Sequence, residues 1–67
     1  MYTGTIINWN DDRGFGFIRR DDGAGDIFAH VKYLSGIPRP AEGQRVSFDI
    51  VQDERSNRDR AAGIRLA

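Results

Sequence analysis

The segment Arg13-Gly14-Phe15-Gly16-Phe17-Ile18-Arg19 constrains the fold more than any other stretch of the chain. In a β-strand, successive side chains point to opposite faces. Arg13, Phe15, Phe17 and Arg19 then share one side, and Gly14, Gly16 and Ile18 the other. An ordinary half-buried strand hides its phenylalanines. Here that would carry two unpaired arginines into the interior, a cost that a small core cannot offset. The consistent solution buries Ile18 and leaves both rings outside. Gly14 and Gly16 become inward positions where another backbone comes close or the strand coils sharply.

The same inversion recurs in Asp26–Val31, where Ile27, Ala29 and Val31 form an aliphatic set and Asp26, Phe28 and His30 take the other face. The remaining chain reads as strand and turn. Thr3–Trp9 is rich in β-branched and aromatic residues, a strand signal. Asn10–Gly14 and Asp21–Gly25 carry the acids, amides and glycines of turns. Lys32–Gly43 holds both prolines and reads as a longer loop with one helical turn near Tyr33. Arg45–Val51 alternates, with Val46, Phe48 and Ile50 together. Asp53–Arg60 reads as a polar loop, and Ala61–Leu66 as a last strand with Ala62, Ile64 and Leu66 in register. The expectation is an all-β chain, five antiparallel strands in a meander curled into a small β-barrel, since closure removes exposed edges.

Sixty-seven residues make one domain, residues 1–67, with a thin core and a stability of about a few kcal/mol. No Cys and a single His leave neither disulfide nor zinc as reinforcement, and suit a reducing compartment. No apolar run reaches the roughly 20 residues that cross a bilayer, and Met1-Tyr2-Thr3-Gly4 lacks a signal-peptide pattern. A soluble cytoplasmic monomer without cofactor is expected.

If the second and third strands form a hairpin, Phe15, Phe17, Phe28 and His30 make one exposed patch, and exposed rings at that density mark a contact surface. Some of the rings would instead be satellite core if a loop covers them. Three rings in two strands, each alternating with glycine or aliphatic residues, weigh against that. Flat rings flanked by cations match what a nucleic-acid single strand offers, base faces and phosphates. The ten acidic and ten basic residues cancel, but nine of the ten bases are Arg, which stacks on planes and forks onto phosphate. Arg13, Arg19 and Lys32 are placed to meet a backbone, with Arg58 and Arg60 reaching over from the last loop. That loop reads equally as a solvated hairpin tip, given Asp53, Glu54 and Asp59.

These residues resemble the cold-shock domain family, OB-fold barrels that bind single-stranded RNA and DNA. The family's first motif, Lys-Gly-Phe-Gly-Phe-Ile, stands here as Arg13-Gly14-Phe15-Gly16-Phe17-Ile18. The second, Val-Phe-Val-His-Phe, stands as Ile27-Phe28-Ala29-His30-Val31. Thr3-Gly4, Glu42-Gly43-Gln44-Arg45-Val46-Ser47-Phe48 and Ala61-Ala62-Gly63 are similar to family segments in the same order. The resemblance implies a five-stranded antiparallel OB-fold β-barrel that acts as an RNA chaperone-like binder. It implies base-stacking roles for Phe15, Phe17, Phe28 and His30, with Arg13 in the basic position.

Four departures stand out. Asn8 occupies the place of the family's stacking Trp, and Trp9 that of a Phe. Val31 replaces the ring that ends the second motif. Ile37 stands in a shortened loop where Phe or Tyr is usual, and Ile7 replaces a Lys. By strand parity with Thr5 and Ile7, Trp9 is expected at the edge of the patch; as a cap on the barrel it would be partly buried. The departures imply a smaller platform and weaker binding.

Other readings exist. The RNA-recognition motif shares Arg-Gly-Phe-Gly-Phe but needs two helices and carries its motifs in the reverse order. A protein-interaction barrel, or an N-terminal binding domain of a larger protein, would use the same patch. Catalysis finds no nucleophile elbow or phosphate loop, and Asp21, Asp22 and Asp26 lack a calcium-loop spacing, so no catalytic, metal, membrane or small-molecule site is expected.

Overall fold

The computed structural model describes residues 1–53, 55 and 58–67. Five strands run Tyr2–Asn10 (β1), Phe15–Arg20 (β2), Asp26–His30 (β3), Arg45–Asp53 (β4) and Arg58–Leu66 (β5), with a 3-10 turn at Val31–Tyr33. The helical turn falls where the sequence placed it. The segment read as a polar loop, Asp53–Arg60, is strand at both ends: Gln52 pairs with Asp59 and Asp53 with Arg58. Cross-strand pairing holds these residues in register although their intrinsic preference is for a turn. Glu54, one of the acids weighed in that loop, lies outside the described residues.

The strands close in the order β1-β2-β3-β5-β4. Each neighbouring pair is antiparallel except β3 and β5, which are parallel. The expected five-stranded all-β barrel is what the chain forms, with one departure from an antiparallel meander that arithmetic requires. A closed ring with an odd number of strands cannot alternate in direction all the way round. The single parallel seam falls between β3 and β5, and parallel neighbours need a long crossover. The segment from Val31 to Gln44 begins that crossover, which continues through the β4–β5 hairpin.

Ile6, Ile18, Ile27, Ala29, Val46, Phe48, Ala61 and Ile64 fill the barrel, and Ile37 closes it from the crossover. The inversion read from the sequence holds: Gly16, Ile18, Ile27 and Ala29 are buried while Phe17 is 39% exposed. Two expectations fail at strand ends. Val31 leaves the aliphatic set, because β3 stops at His30 and the backbone turns into the 3-10 segment, leaving Val31 50% exposed. In β5 the buried pair is Ala61 and Ile64 rather than Ala62, Ile64 and Leu66. The register passes from Ser47↔Arg65 to Asp49↔Ala62, one extra residue on β5, and such a bulge reverses side-chain parity. Gly63 sits within it at φ 57, and Leu66 is 52% exposed.

Candidate nucleic-acid interface

β2 and β3 form the antiparallel hairpin on which the patch depends. Phe15 faces His30 and Phe17 faces Phe28 in direct register, so the four side chains share one face. Phe28 sits at the centre: its ring lies 5.7 Å from Phe15, 6.0 Å edge-on from Phe17 and 6.4 Å from His30. These separations suit mutually supporting aromatic pairs, so the surface is a continuous sheet of rings. The imidazole is also oriented. His30 Nδ1 accepts the Lys32 amide at 3.1 Å and caps the 3-10 turn. In the neutral ring this leaves the proton on Nε2, as a donor for a ligand.

Gly16 is the device that keeps the rings outside. A Cβ there would stand 2.1 Å from the Asn8 carbonyl oxygen and 2.6 Å from Trp9 Cε3. The indole thus occupies the space of the missing side chain. This corrects the expectation for Trp9. The β1–β2 register moves from Ile6↔Ile18 to Asn8↔Phe17 and Trp9↔Gly16, an extra residue at Ile7 that flips the parity beyond it. Trp9 therefore shares the inward face with Gly16 and packs, half-buried, against the core. Asn8 takes the outward place across from Phe17. Ile37 is likewise drawn into the core, so neither departure adds a ring to the patch.

Beside Phe17, Phe28 and His30 opens a groove of about 510 Å³ whose other walls are Lys32, Tyr33, Arg58, Asp59 and Arg60. Arg58 and Arg60 reach it because β5 pairs with β3 through Phe28↔Arg60. Among the described lining residues, three cations face one carboxylate. Arg13 is exposed at the end of the turn before β2, where Asn10 Oδ1 accepts its amide at 3.2 Å. Arg19, read as a phosphate contact, is paired with Asp26 at 3.2 Å, its partner across β2 and β3. Sequence reasoning did not assign Tyr33 to the site; its one signal was an aromatic residue in the turn directly after the second motif.

The remaining charges pair elsewhere. Arg45 donates twice to Asp21, and the Thr3 hydroxyl donates to the same carboxylate at 2.6 Å. These hydrogen bonds, Arg45 first and Thr3 second, hold the Asp21 carboxyl down to about 2, and the bond to Asp21 raises Arg45 above its ordinary value. The Asp22 carboxyl is likewise lowered from its ordinary value, by the hydrogen bond from Arg20 first and the Ala24 amide second. None of these residues lines the groove. Among the described residues no group of His, Cys, Asp and Glu is placed to hold a metal ion, and no helix is long and apolar enough to cross a membrane.

A family model described as the 'Cold-shock' DNA-binding domain matches residues 2–67. Cold shock protein CspA of Rhizobium meliloti (strain 1021) is 42% identical over 69 residues, with 100% of each chain covered. Cold shock-like protein CspA of Vibrio cholerae serotype O1 is 44% identical over 55 residues, covering 79% of each. Among solved structures, drosophila Unr CSD456 superposes on 98% of this chain with a TM-score of 0.80 at 24% identity, a likeness of fold. This chain spans 26% of that one.

Proposed function

The chain belongs to the cold-shock DNA-binding domain family and is a nucleic-acid-binding protein of the cold-shock type; on that premise we propose that it captures open single strands of RNA or DNA on the rings of β2 and β3. Bases stack on Phe15, Phe17, Phe28 and His30, while Arg13, Lys32, Arg58 and Arg60 meet the phosphates. The observation that carries this reading is the unbroken contact of Phe28 with Phe15, Phe17 and His30, opening into a groove with a surplus of cations. Stacking contributes about 1–3 kcal/mol per base and tolerates many sequences, because every base presents a π-face. A duplex hides those faces, so selection for single strands follows from the chemistry.

The mechanism is passive. A barrel that binds only the open form shifts a weak hairpin toward opening by mass action, which is an RNA chaperone's work and needs no bond to be broken. The working unit is one barrel, acting in the cytoplasm. The test is a titration of single- and double-stranded oligonucleotides of one sequence, followed by Trp9 fluorescence and by the anisotropy of a labelled strand. The single strand should bind more tightly, with affinity falling as salt rises, and Phe17→Ala should weaken it by about 1–3 kcal/mol. Equal affinity for duplex and single strand, or an unaffected Phe17→Ala variant, overturns the assignment. A salt-insensitive interaction would favour the protein-interaction barrel.

A further inference from the structure

The platform is lopsided. On its β1 side the outward positions beside the rings are Asn8, across from Phe17, and Asn10, across from Phe15, and Trp9 has turned inward. On its β5 side the groove continues to Tyr33. The Arg60 guanidinium carbon lies 4.3 Å from the Tyr33 ring centroid, and Lys32 Nζ lies 5.7 Å from it. Arg60 also pairs through its backbone with Phe28, so one residue joins the central ring of the platform to Tyr33.

Tyr33 is held firmly enough to serve as a surface. The His30 cap starts its turn, the Leu34 amide closes it on the Val31 carbonyl at 3.1 Å, and the Ser35 amide donates to the Ile64 carbonyl at 2.7 Å. Leu34 bridges to Ile64 in β5. The turn is therefore tied to the strand that carries Arg60. A guanidinium lying on an aromatic ring is a flat cation, able to stack with a base and to hydrogen-bond a phosphate through its edge.

We propose that Tyr33 and Arg60 form a further nucleotide subsite, in which a base stacks on the Tyr33–Arg60 pair while Arg60 and Lys32 hold the adjoining phosphate. The bound strand then runs from the rings of β2 across Phe28 toward β5, away from β1. The subsite rests on the reading of the groove as a single-strand path and extends it by one nucleotide. It supplies, from the turn, the stacking surface that Val31 does not.

The test uses oligothymidylates of four to ten nucleotides against the intact protein, Tyr33→Leu, Tyr33→Phe, Arg60→Gln and Phe17→Ala, with unfolding midpoints measured in parallel. Tyr33→Leu keeps apolar bulk against the core but removes the ring. It should lower affinity about 5- to 150-fold and shorten by about one nucleotide the length at which affinity levels off. Tyr33→Phe should bind as the intact protein does. Arg60→Gln should shorten the plateau and reduce the slope of log K against log salt by about 0.7. An unchanged plateau and affinity in Tyr33→Leu, with Phe17→Ala weakened, overturns the subsite alone. No effect in either variant overturns the groove reading and the subsite with it. If Tyr33→Leu does not fold, Arg60→Gln decides, and an unchanged plateau and slope refute the proposal.

Discussion

Replacing Gly16 by Ala adds one methyl group at the point where β1 and β2 come closest. The new carbon would stand 2.1 Å from the Asn8 carbonyl oxygen, 2.6 Å from Trp9 Cε3 and 2.9 Å from Trp9 Cα. Two of these neighbours are backbone, so no side-chain rotation relieves the overlap. Either the strands part by about an ångström, which stretches the hydrogen bonds around Trp9↔Gly16, or the indole leaves its place against the core. Forcing an extra carbon into a packed site costs about 1–3 kcal/mol, occasionally more. Restricting the unfolded chain returns about 0.4–1 kcal/mol. A contact this short belongs at the upper end of the cost, which leaves a net loss of about 2 kcal/mol. In a domain of this size each kcal/mol moves the thermal midpoint by about 4–8 °C, so a fall of roughly 8–16 °C is expected. Urea and thermal unfolding, followed by Trp9 fluorescence and far-UV circular dichroism, measure it. The Trp9 emission of the folded variant should also shift, because the indole is what the methyl displaces. An unchanged midpoint with an unchanged emission spectrum would refute the packing of Trp9 on Gly16, and with it the account of why the rings face outward.

Asn8→Trp places a ring on the outward face across from Phe17 and should strengthen single-strand binding by about 1–3 kcal/mol; affinity no better than that of the intact protein would sink the parity assignment. Acid should destabilise the fold in a defined window. The Asp21 carboxyl is lowered from 3.8 to about 2, so its contribution is fully present above the unfolded value and is lost as pH falls from about 4 toward 2. Urea midpoints should drop across that window, and Arg45→Gln should flatten the drop; an identical acid profile in the variant would dissociate Asp21 from the effect.

What was legible in the sequence, and what was not, divides at the bulges. Phe15, Phe17, Phe28 and His30 were placed correctly on the outward face because β2 and β3 pair without a break from Phe15↔His30 to Arg19↔Asp26. Parity counted along an unbroken strand is reliable, since burying the wrong face here would bury arginine. Trp9 and Leu66 were misplaced for one shared reason. A single extra residue at Ile7, and another at Gly63–Ile64, reverses every side chain beyond it. No residue type announces a bulge at Ile7. Gly63 gave a hint, since a φ of 57 is one that glycine adopts readily. Tyr33 escaped for a different reason: its place is set by the His30 cap and by Ser35 docking on Ile64, contacts that join distant parts of the chain.

The balanced charge of the chain follows from the same geometry. A net charge of zero weakens long-range attraction to a polyanion, and taken alone it does not point to one. The acids are unevenly placed, however. Asp21, Asp22 and Asp26 are held by Arg45, Arg20 and Arg19, and none of the six lines the groove. Among the described residues that line the groove, Lys32, Arg58 and Arg60 are cations and Asp59 is a carboxylate. Interactions between exposed charges fade beyond about 10 Å at 0.1 M salt, so a strand within the groove feels the local surplus more than the distant balance. Such a protein should gain little from electrostatic steering at long range and hold a strand mainly by stacking once contact is made.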